Sequence, residues 1–475
     1  MYLYNESEDY SQSFLNKSSN ILKYPTRHNS KTFSDQLGSI SDTTTRDLKI
    51  SRIFTTTMNL DEQALVFDFL EYLNRNSDHE IIDIENKNKF YIDYTRIDSI
   101  AKIKCIIKNR FKVTKSIIIH SNALTHHKVK ELNQCTDHGF VFLSENTKDY
   151  CFNDLIWSLN IKSDRLHFII CHSKHCKIPS DTSKIFNGKL PENVYHIQNC
   201  TTDFARIERI INGKSVGLVL SGGGCKGLAH LGILKALEEY QIPIDRICGT
   251  SIGAIVAFLW SYHRNSTNAI NHARLFFMNN PTPWWDLSII PIYSLFKGKK
   301  IDSIFKSQLS DHQIEDLWIP FFCNSTNLSK LEVKIHDRGS SVIALRASLA
   351  IPGIFPPVVD DDNILVDGGV LNNLPVDLIS RKMKGNIIAS RVDKSITTRD
   401  KPKLPNIIST LYQSSMANTD MNTEKNIGLI DLYFEPQVSK YGLMQWLAFD
   451  QIIQNGYEYA CQILSELDEI SNYQG

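Results

Sequence analysis

Ser251 stands in Gly249-Thr250-Ser251-Ile252-Gly253, between a predicted short strand, IDRICGTS, and a predicted buried helix, IGAIVAFLWSYH. A serine lifted on a tight strand-to-helix turn presents its hydroxyl at the sheet edge, and the helix N-terminus supplies partial positive charge for an oxyanion. Gly249 and Gly253 answer the steric need of so sharp a turn. The pentapeptide also reads as a serine turn that only caps a helix, so its surroundings must decide. Upstream, Ser221-Gly222-Gly223-Gly224-Cys225-Lys226-Gly227 follows the apolar run SVGLVL and opens a helix near Leu228. Three residues without side chains let backbone N–H groups point at an anion. Gly222, Gly224 and Gly227 also satisfy G-x-G-x-x-G, which makes a dinucleotide pyrophosphate the rival guest. That reading requires a second strand ending in an acidic residue, whereas the next strand here ends in the Ser251 turn. A Walker A loop is absent, since Glu208 stands where Gly213-Lys214-Ser215 would need its first glycine.

The third element is Ile364-Leu365-Val366-Asp367-Gly368-Gly369. A strand delivering Asp367 to its carboxyl end would bring the carboxylate to the same rim of a parallel sheet as Ser251 and the glycine loop. Alone, Asp-Gly-Gly is simply a good turn. Histidine order separates two kinds of hydrolase. His336 is the last histidine, so a Ser, acid, His order with Asp367 as the acid is impossible. A dyad remains, in which Asp367 takes the Ser251 proton and the N–H groups of Gly223, Gly224 and Cys225 hold the oxyanion. Such a reaction passes through an acyl-enzyme and needs no metal and no organic cofactor.

These pieces require a sheet with helices around it. SVGLVL reads as a fully buried strand, and AHLGILKALEEYQ places Leu231, Leu234, Leu237 and Tyr240 on one helical face. Earlier, ALVFDFLEYL has helical spacing, and SIIIH, GFVFL and LHFIIC read as strands. Residues 1–58 are rich in Ser, Thr, Asn and Asp without a sustained period and read as a flexible tail. The expected division is 1–58 tail, 59–212 small α/β accessory domain serving docking or regulation, and 213–475 catalytic domain with a motif core near 216–381.

The order GGGCKG, GTSIG, DGG, with LAHLGILKALEE after the first motif and RASLAIPGIFPP before the last, resembles the patatin-like phospholipase family. DFARIERIINGKSVGLVLSGGG and QIEDLWIPFFCNSTNLS resemble its neuropathy target esterase branch, whose members hydrolyse lysophospholipids and related glycerophospholipids. The resemblance runs from about Thr202 to the region of Tyr457. It implies a three-layer α/β/α serine hydrolase with a smaller N-terminal α/β region, Ser251 as nucleophile, Asp367 as proton acceptor, Gly222 to Gly227 as oxyanion loop, and a phospholipid or lysophospholipid substrate. Lys226 stands where the family commonly has Arg. No cyclic-nucleotide module or N-terminal membrane helix is visible, so the resemblance does not extend to nucleotide control or permanent anchoring. A patatin fold without activity, serving lipid or partner binding, is the alternative.

Two weaker signals remain. Cys171-His172-Ser173-Lys174-His175-Cys176 offers soft and borderline ligands, but without C-x-x-C or a second ligand pair the expectation is no metal. Trp284 to Lys300 combines aromatic and aliphatic residues with Lys297, Lys299 and Lys300, which suits peripheral contact with a membrane surface. Composition bounds the rest. The 475 residues carry 52 basic and 52 acidic side chains, so no global field recruits nucleic acid. Ten scattered cysteines suit a reducing compartment. No Sec-type leader or membrane-spanning run is legible, so a cytoplasmic or peripheral membrane location is expected.

Overall fold

The computed structural model describes residues 49–55, 60–76, 79–83, 116–122, 137–145, 161–309, 312–393, 405–417 and 419–473. The chain forms two compact units. The first, among described residues, runs from Lys49 to Gly213 and includes Glu315–Trp318 from later in the chain; the second takes Lys214–Ile314 and the residues from Ile319 onward.

The earlier unit is built on six parallel strands, β1 (Lys49–Thr55), β2 (His79–Asp83), β3 (Ser116–Asn122), β4 (His138–Ser144), β5 (Leu166–Cys171) and β6 (Val194–Ile197), in the order β2-β3-β1-β4-β5-β6. The runs SIIIH, GFVFL and LHFIIC lie in β3, β4 and β5. β1 corrects the expected tail: residues 49–55 pair with both β3 and β4 inside the sheet. KISRIFT is too short and too interrupted by charge to show a period, and its pairing across the sheet makes it a strand. Residues 1–48 of the expected tail lie outside the described residues. Helix α1 (Leu60–Asn76) places Leu65, Val66, Phe69, Leu70 and Leu73 on one buried stripe. Phe69 meets Phe142 of β4 and Phe204 of α2 (Thr201–Asn212), with ring centroids 5.5 and 5.4 Å apart.

The later unit holds an eight-stranded mixed sheet. Its strands are β7 (Ser215–Leu220), β8 (Arg246–Gly249), β9 (Phe321–Asn327), β10 (Glu332–His336), β11 (Val358–Asp360), β12 (Asn363–Asp367), β13 (Gly385–Ser390) and β14 (Leu432–Phe434). The order is β11-β12-β9-β8-β7-β13-β14, with β10 also paired to β9. From β9 through β14 the pairs are parallel, while β10, β11 and β12 join antiparallel. Every residue of β7 is buried, as a central strand covered on both faces must be. Val219, Cys248, Phe322, Ile387 and Ala389 face one helical layer, where Leu378 and Ile379 of α6 (Val376–Lys382) pack. The opposite layer contains α3 (Ala229–Glu239), α4 (Ile252–His263) and α7 (Phe449–Tyr473). α4 is buried almost all round, from Ile252 to Ser261, so periodicity alone could not have oriented it.

α3 and α7 cross through bare backbone. A Cβ on Gly232 would stand 2.0 Å from Ile453 O, and one on Gly456 would stand 2.2 Å from Ala229 O. Alanine improves an isolated helix by about 1 kcal/mol over glycine, whereas forcing a methyl into backbone contact costs about 1–3 kcal/mol. Overpacking is therefore expected to win. Gly456→Ala should lower the thermal unfolding midpoint, and a rise measured by calorimetry would show that the two helices can separate without cost.

Candidate active site

Ser251 begins the turn from β8 into α4, with φ 55° and ψ −124°. A side-chain-bearing residue in that region stores about 1–3 kcal/mol of backbone strain. The turn is imposed by its neighbours. A Cβ on Gly249 would lie 2.4 Å from the Gly253 backbone, and one on Gly253 would lie 2.5 Å from Leu220 O. Only bare backbone lets β7, β8 and α4 meet so closely. The Ser251 N–H donates to Ser348 Oγ at 2.8 Å, on α5 (Ser341–Ser348).

The glycine loop runs alongside. A Cβ on Gly222 would fall 3.1 Å from Ser251 Cβ and 2.5 Å from Asn373 Oδ1. The expected six-residue oxyanion loop is narrowed by where its N–H groups go. Gly222 N–H donates to Asn373 Oδ1 at 3.1 Å, and Cys225 N–H to Leu443 O at 2.8 Å. Lys226 and Gly227 lie in the 3-10 turn Gly224–Leu228, where Gly227 has a packing role: a Cβ there would strike Ile252 at 2.2 Å. Among the described residues, no partner takes the N–H groups of Gly223 or Gly224, and Gly224 adopts φ +58°. Those two are the free donors. Cys225 is a thiol here, since burial pushes it up to about 11 and its Sγ donates to Gly442 O.

Asp367 reaches the same level by a route opposite to the one expected. β12 is antiparallel to β9, so Asp367 does not lie at the carboxyl rim of a parallel strand. Gly249 is level with Cys323, and Asp367 with Ser325. Two residues beyond Gly249 therefore bring Ser251 level with Asp367. β9 outruns β8, and β12 descends along that extension to the level of Ser251. Asp367 is fully buried; Oδ1 accepts the Gly369 N–H at 2.8 Å, and Oδ2 has no hydrogen-bond partner. Burial raises its pKa to about 7, against the opposing pull of Gly369 N–H and the neighbouring Ser251 hydroxyl. The hydroxyl is thus within electrostatic reach of a carboxyl oxygen to which its hydrogen bond has not closed. Catalytic hydrogen bonds commonly stand open in this way before substrate binds. Because the folded-state value lies above the ordinary 3.8, ionising Asp367 withdraws stability as pH rises from about 4 through 7.

Three asparagines hold the motifs together, and none stood out in the sequence. Asn373 accepts from Gly222 N–H while its Nδ2 donates to Asp393 at 2.8 Å. Asn324 accepts from the Thr250 hydroxyl at 2.7 Å and donates to Asn372 O at 2.9 Å. Asn372 donates to Asp377 at 2.7 Å. The only signal was a polar residue inside the apolar run of β9 and the Asn-Asn pair after Asp-Gly-Gly. A Cβ on Gly368 would strike Asn324 O at 2.4 Å, and one on Gly369 would meet Met416 Sδ at 2.5 Å, so both turn glycines are sterically required. Fully buried His230 bridges Ser221 O and Ser390 Oγ at 2.9 and 2.8 Å, and burial lowers it to about 4. It braces the glycine loop as a neutral ring.

Residues 218–379, which contain all three motifs, match the family model for patatin-like phospholipases. Over that stretch, about a third of the chain, the sequence is similar to patatin-like phospholipases. Lysophospholipase NTE1 of Mycosarcoma maydis is 33% identical over 295 residues, 56% of this chain and 16% of that protein. Neuropathy target esterase sws of Drosophila melanogaster is 34% identical over 292 residues, 55% of this chain and 20% of that protein. The chain thus spans about one fifth of the length of these curated relatives. Among solved structures, VipD from Legionella pneumophila aligns over 53% of this chain and 67% of its own, with 16% identity and a TM-score of 0.33. The helical layers on both faces of the sheet are the α/β architecture expected from the motifs.

The backbone strain at Ser251 is separable from its hydroxyl. Ser251→Gly should remove both, raising stability by up to about 1–3 kcal/mol, while Ser251→Ala keeps the strained backbone. Denaturant unfolding compares them directly; equal midpoints would mean that φ 55° is not a cost to the fold.

Proposed function

We propose that this chain is a serine esterase that hydrolyses the acyl ester of a lysophospholipid or phospholipid. The observation that carries this reading is the buried, unpartnered Oδ2 of Asp367 beside the Ser251 hydroxyl, with Gly222 of the glycine loop packed against Ser251 and the Gly223 and Gly224 N–H groups without a partner among the described residues. Ser251 Oγ attacks the ester carbonyl carbon as its proton passes to Asp367 Oδ2. The carbonyl oxygen becomes an oxyanion that accepts from Gly223 and Gly224 N–H. Collapse breaks the C–O bond to the glycerol oxygen, which leaves as an alcohol with the proton from Asp367. A water then attacks the acyl-enzyme, gives its proton to Asp367, and releases the fatty acid while the proton returns to Ser251. The step requires no metal and no organic cofactor. A dinucleotide would need the whole glycine cradle, and two of its N–H groups are already committed within the protein.

An exposed apolar face supports access to lipid. Trp284 is 82% exposed, Ile289 93%, Ile290 74%, Ile292 76% and Tyr293 80%, with Leu447 at 90%. So many bare large apolar side chains are unusual on a water-facing surface, and Lys297 and Lys299 follow them as exposed cations. No helix among the described residues is long and apolar enough to cross a membrane, so we assign this face to peripheral contact.

Fatty-acid release from a panel of lyso and diacyl phospholipids tests the chemistry. Ser251→Ala should reduce turnover by orders of magnitude and abolish labelling by a fluorophosphonate probe. Labelling that persists in that variant would refute Ser251 as the nucleophile, and wild type that neither labels nor releases fatty acid would favour a catalytically silent binding module. Because Asp367 must be ionised to accept a proton, the pH profile should fall on the acid side with a midpoint near pH 7, and a flat profile from pH 5 to 9 would refute Asp367 as base. Replacing Trp284 and Ile289 by serine should lower turnover of vesicle lipid several-fold more than turnover of a soluble short-chain ester; equal losses would remove the membrane role of that face.

A further inference from the structure

The parallel sheet of the earlier unit carries a second convergence of reactive side chains. Glu145 follows β4 and His172 follows β5, so two neighbouring parallel strands deliver them to one carboxyl edge. Cys176 returns to the same place, its N–H held by Ser173 O at 3.1 Å. The three ligand atoms lie within 4.8 Å of one another. His172 Nδ1 is 2.7 Å from Glu145 Oε2 and 3.7 Å from Cys176 Sγ. Of the four residues weighed in the sequence, His172 and Cys176 join the cluster, while Glu145, 27 positions upstream of His172, supplies the ligand no local pattern could show.

Hydrogen-bond logic sets the direction of the His172 lone pair. Glu315 O lies 2.7 Å from His196 Nε2, and a carbonyl only accepts, so that nitrogen carries a proton. His196 is buried, and the Arg206 guanidinium donates to its backbone carbonyl. A second positive charge there is disfavoured, which leaves His196 Nδ1 as an acceptor. The 2.9 Å contact between the two rings then takes its proton from His172 Nε2. His172 Nδ1 is left with its lone pair turned toward Glu145 and Cys176. A ring nitrogen and a carboxylate oxygen at 2.7 Å repel unless positive charge stands between them. A proton would bridge those two atoms alone; a metal ion engages all three ligand atoms.

We propose that Glu145, His172 and Cys176 bind a divalent transition-metal ion of the zinc type, with water as the fourth ligand. Ordinary zinc bond lengths in a tetrahedral shell put nitrogen and sulfur roughly 3.6 Å apart and nitrogen and oxygen roughly 3.3 Å apart. The first separation is already present, and the second needs Glu145 to withdraw by about 0.6 Å, which a side chain 30% exposed can do. One carboxylate and one thiolate neutralise the dication. Cys176 Sγ lies 3.3 Å from Ile178 O, where a thiol proton points; binding releases that proton to solvent and forms the metal–sulfur bond. The His172–His196–Glu315 relay is the outer hydrogen-bond support that orients an imidazole ligand, and the Trp318 ring covers His172 edge-on at 5.4 Å between centroids. The ion would clip the ends of β4 and β5 together.

The test uses the full chain, stripped with a chelator and titrated with zinc against a chromophoric competitor, and then with cobalt as a spectroscopic probe. Wild type should take up about one equivalent of zinc and show a thiolate-to-cobalt charge-transfer band. Cys176→Ser should lose that band, and Glu145→Gln, a conservative change at a part-exposed site, should weaken zinc by at least about tenfold while circular dichroism stays unchanged. Wild type that binds no zinc at micromolar concentration would overturn the site and leave Glu145 and His172 as an ion pair. A charge-transfer band that survives in Cys176→Ser would overturn it equally, by placing the metal on other thiols.

Discussion

The burial of the Asp367 carboxyl is the constraint on which the rest of the later unit depends. A carboxyl with one oxygen satisfied by Gly369 N–H and the other unpartnered sits in a place where ionisation is expensive. That environment raises its affinity for a proton into the neutral range, where a weak base becomes a useful one. A solvated aspartate would be a far poorer acceptor of a serine proton. The unmade hydrogen bond costs about 1–3 kcal/mol, and the backbone at Ser251 adds strain of its own. Both costs concentrate where the chemistry is proposed, the usual location of such expenditure in a fold.

What holds this arrangement is a set of neutral amides. Asn373 ties the glycine loop to the segment after Asp367, and Asn324 ties the Ser251 turn to the same segment. Each uses both ends of its amide, and fully satisfied buried networks of this kind specify one geometry. The Ser251 N–H is taken by Ser348 and the Gly222 N–H by Asn373. Among the described residues, the Gly223 and Gly224 N–H groups have no such partner. The turn glycines contribute by absence: at Gly249, Gly253 and Gly368 a single methyl would strike neighbouring backbone.

The earlier unit shows the same physics with different side chains. A parallel sheet gathers whatever follows its strands onto one edge, and there the Glu145, His172 and Cys176 cluster forms across neighbouring strands. Its hydrogen-bond relay passes through Glu315, a residue far along the chain that belongs to this unit. No local pattern could have linked that residue to β5.

Residue types and spacing were enough to determine the motifs, the strand-loop-helix order around Ser251, and the α/β character of both regions, because apolar periodicity and glycine placement are local properties. The apolar run SVGLVL reads as a buried strand, and Gly249 and Gly253 around Ser251 mark a tight turn after another. The direction of β12, the membership of residues 49–55 in a sheet, the partners of the glycine-loop N–H groups and the three bracing asparagines were decided by tertiary structure alone. Each depends on which partner a backbone or amide group finds across the fold. A hydrogen bond between Gly222 and Asn373 joins residues 151 positions apart, and no window of sequence contains both.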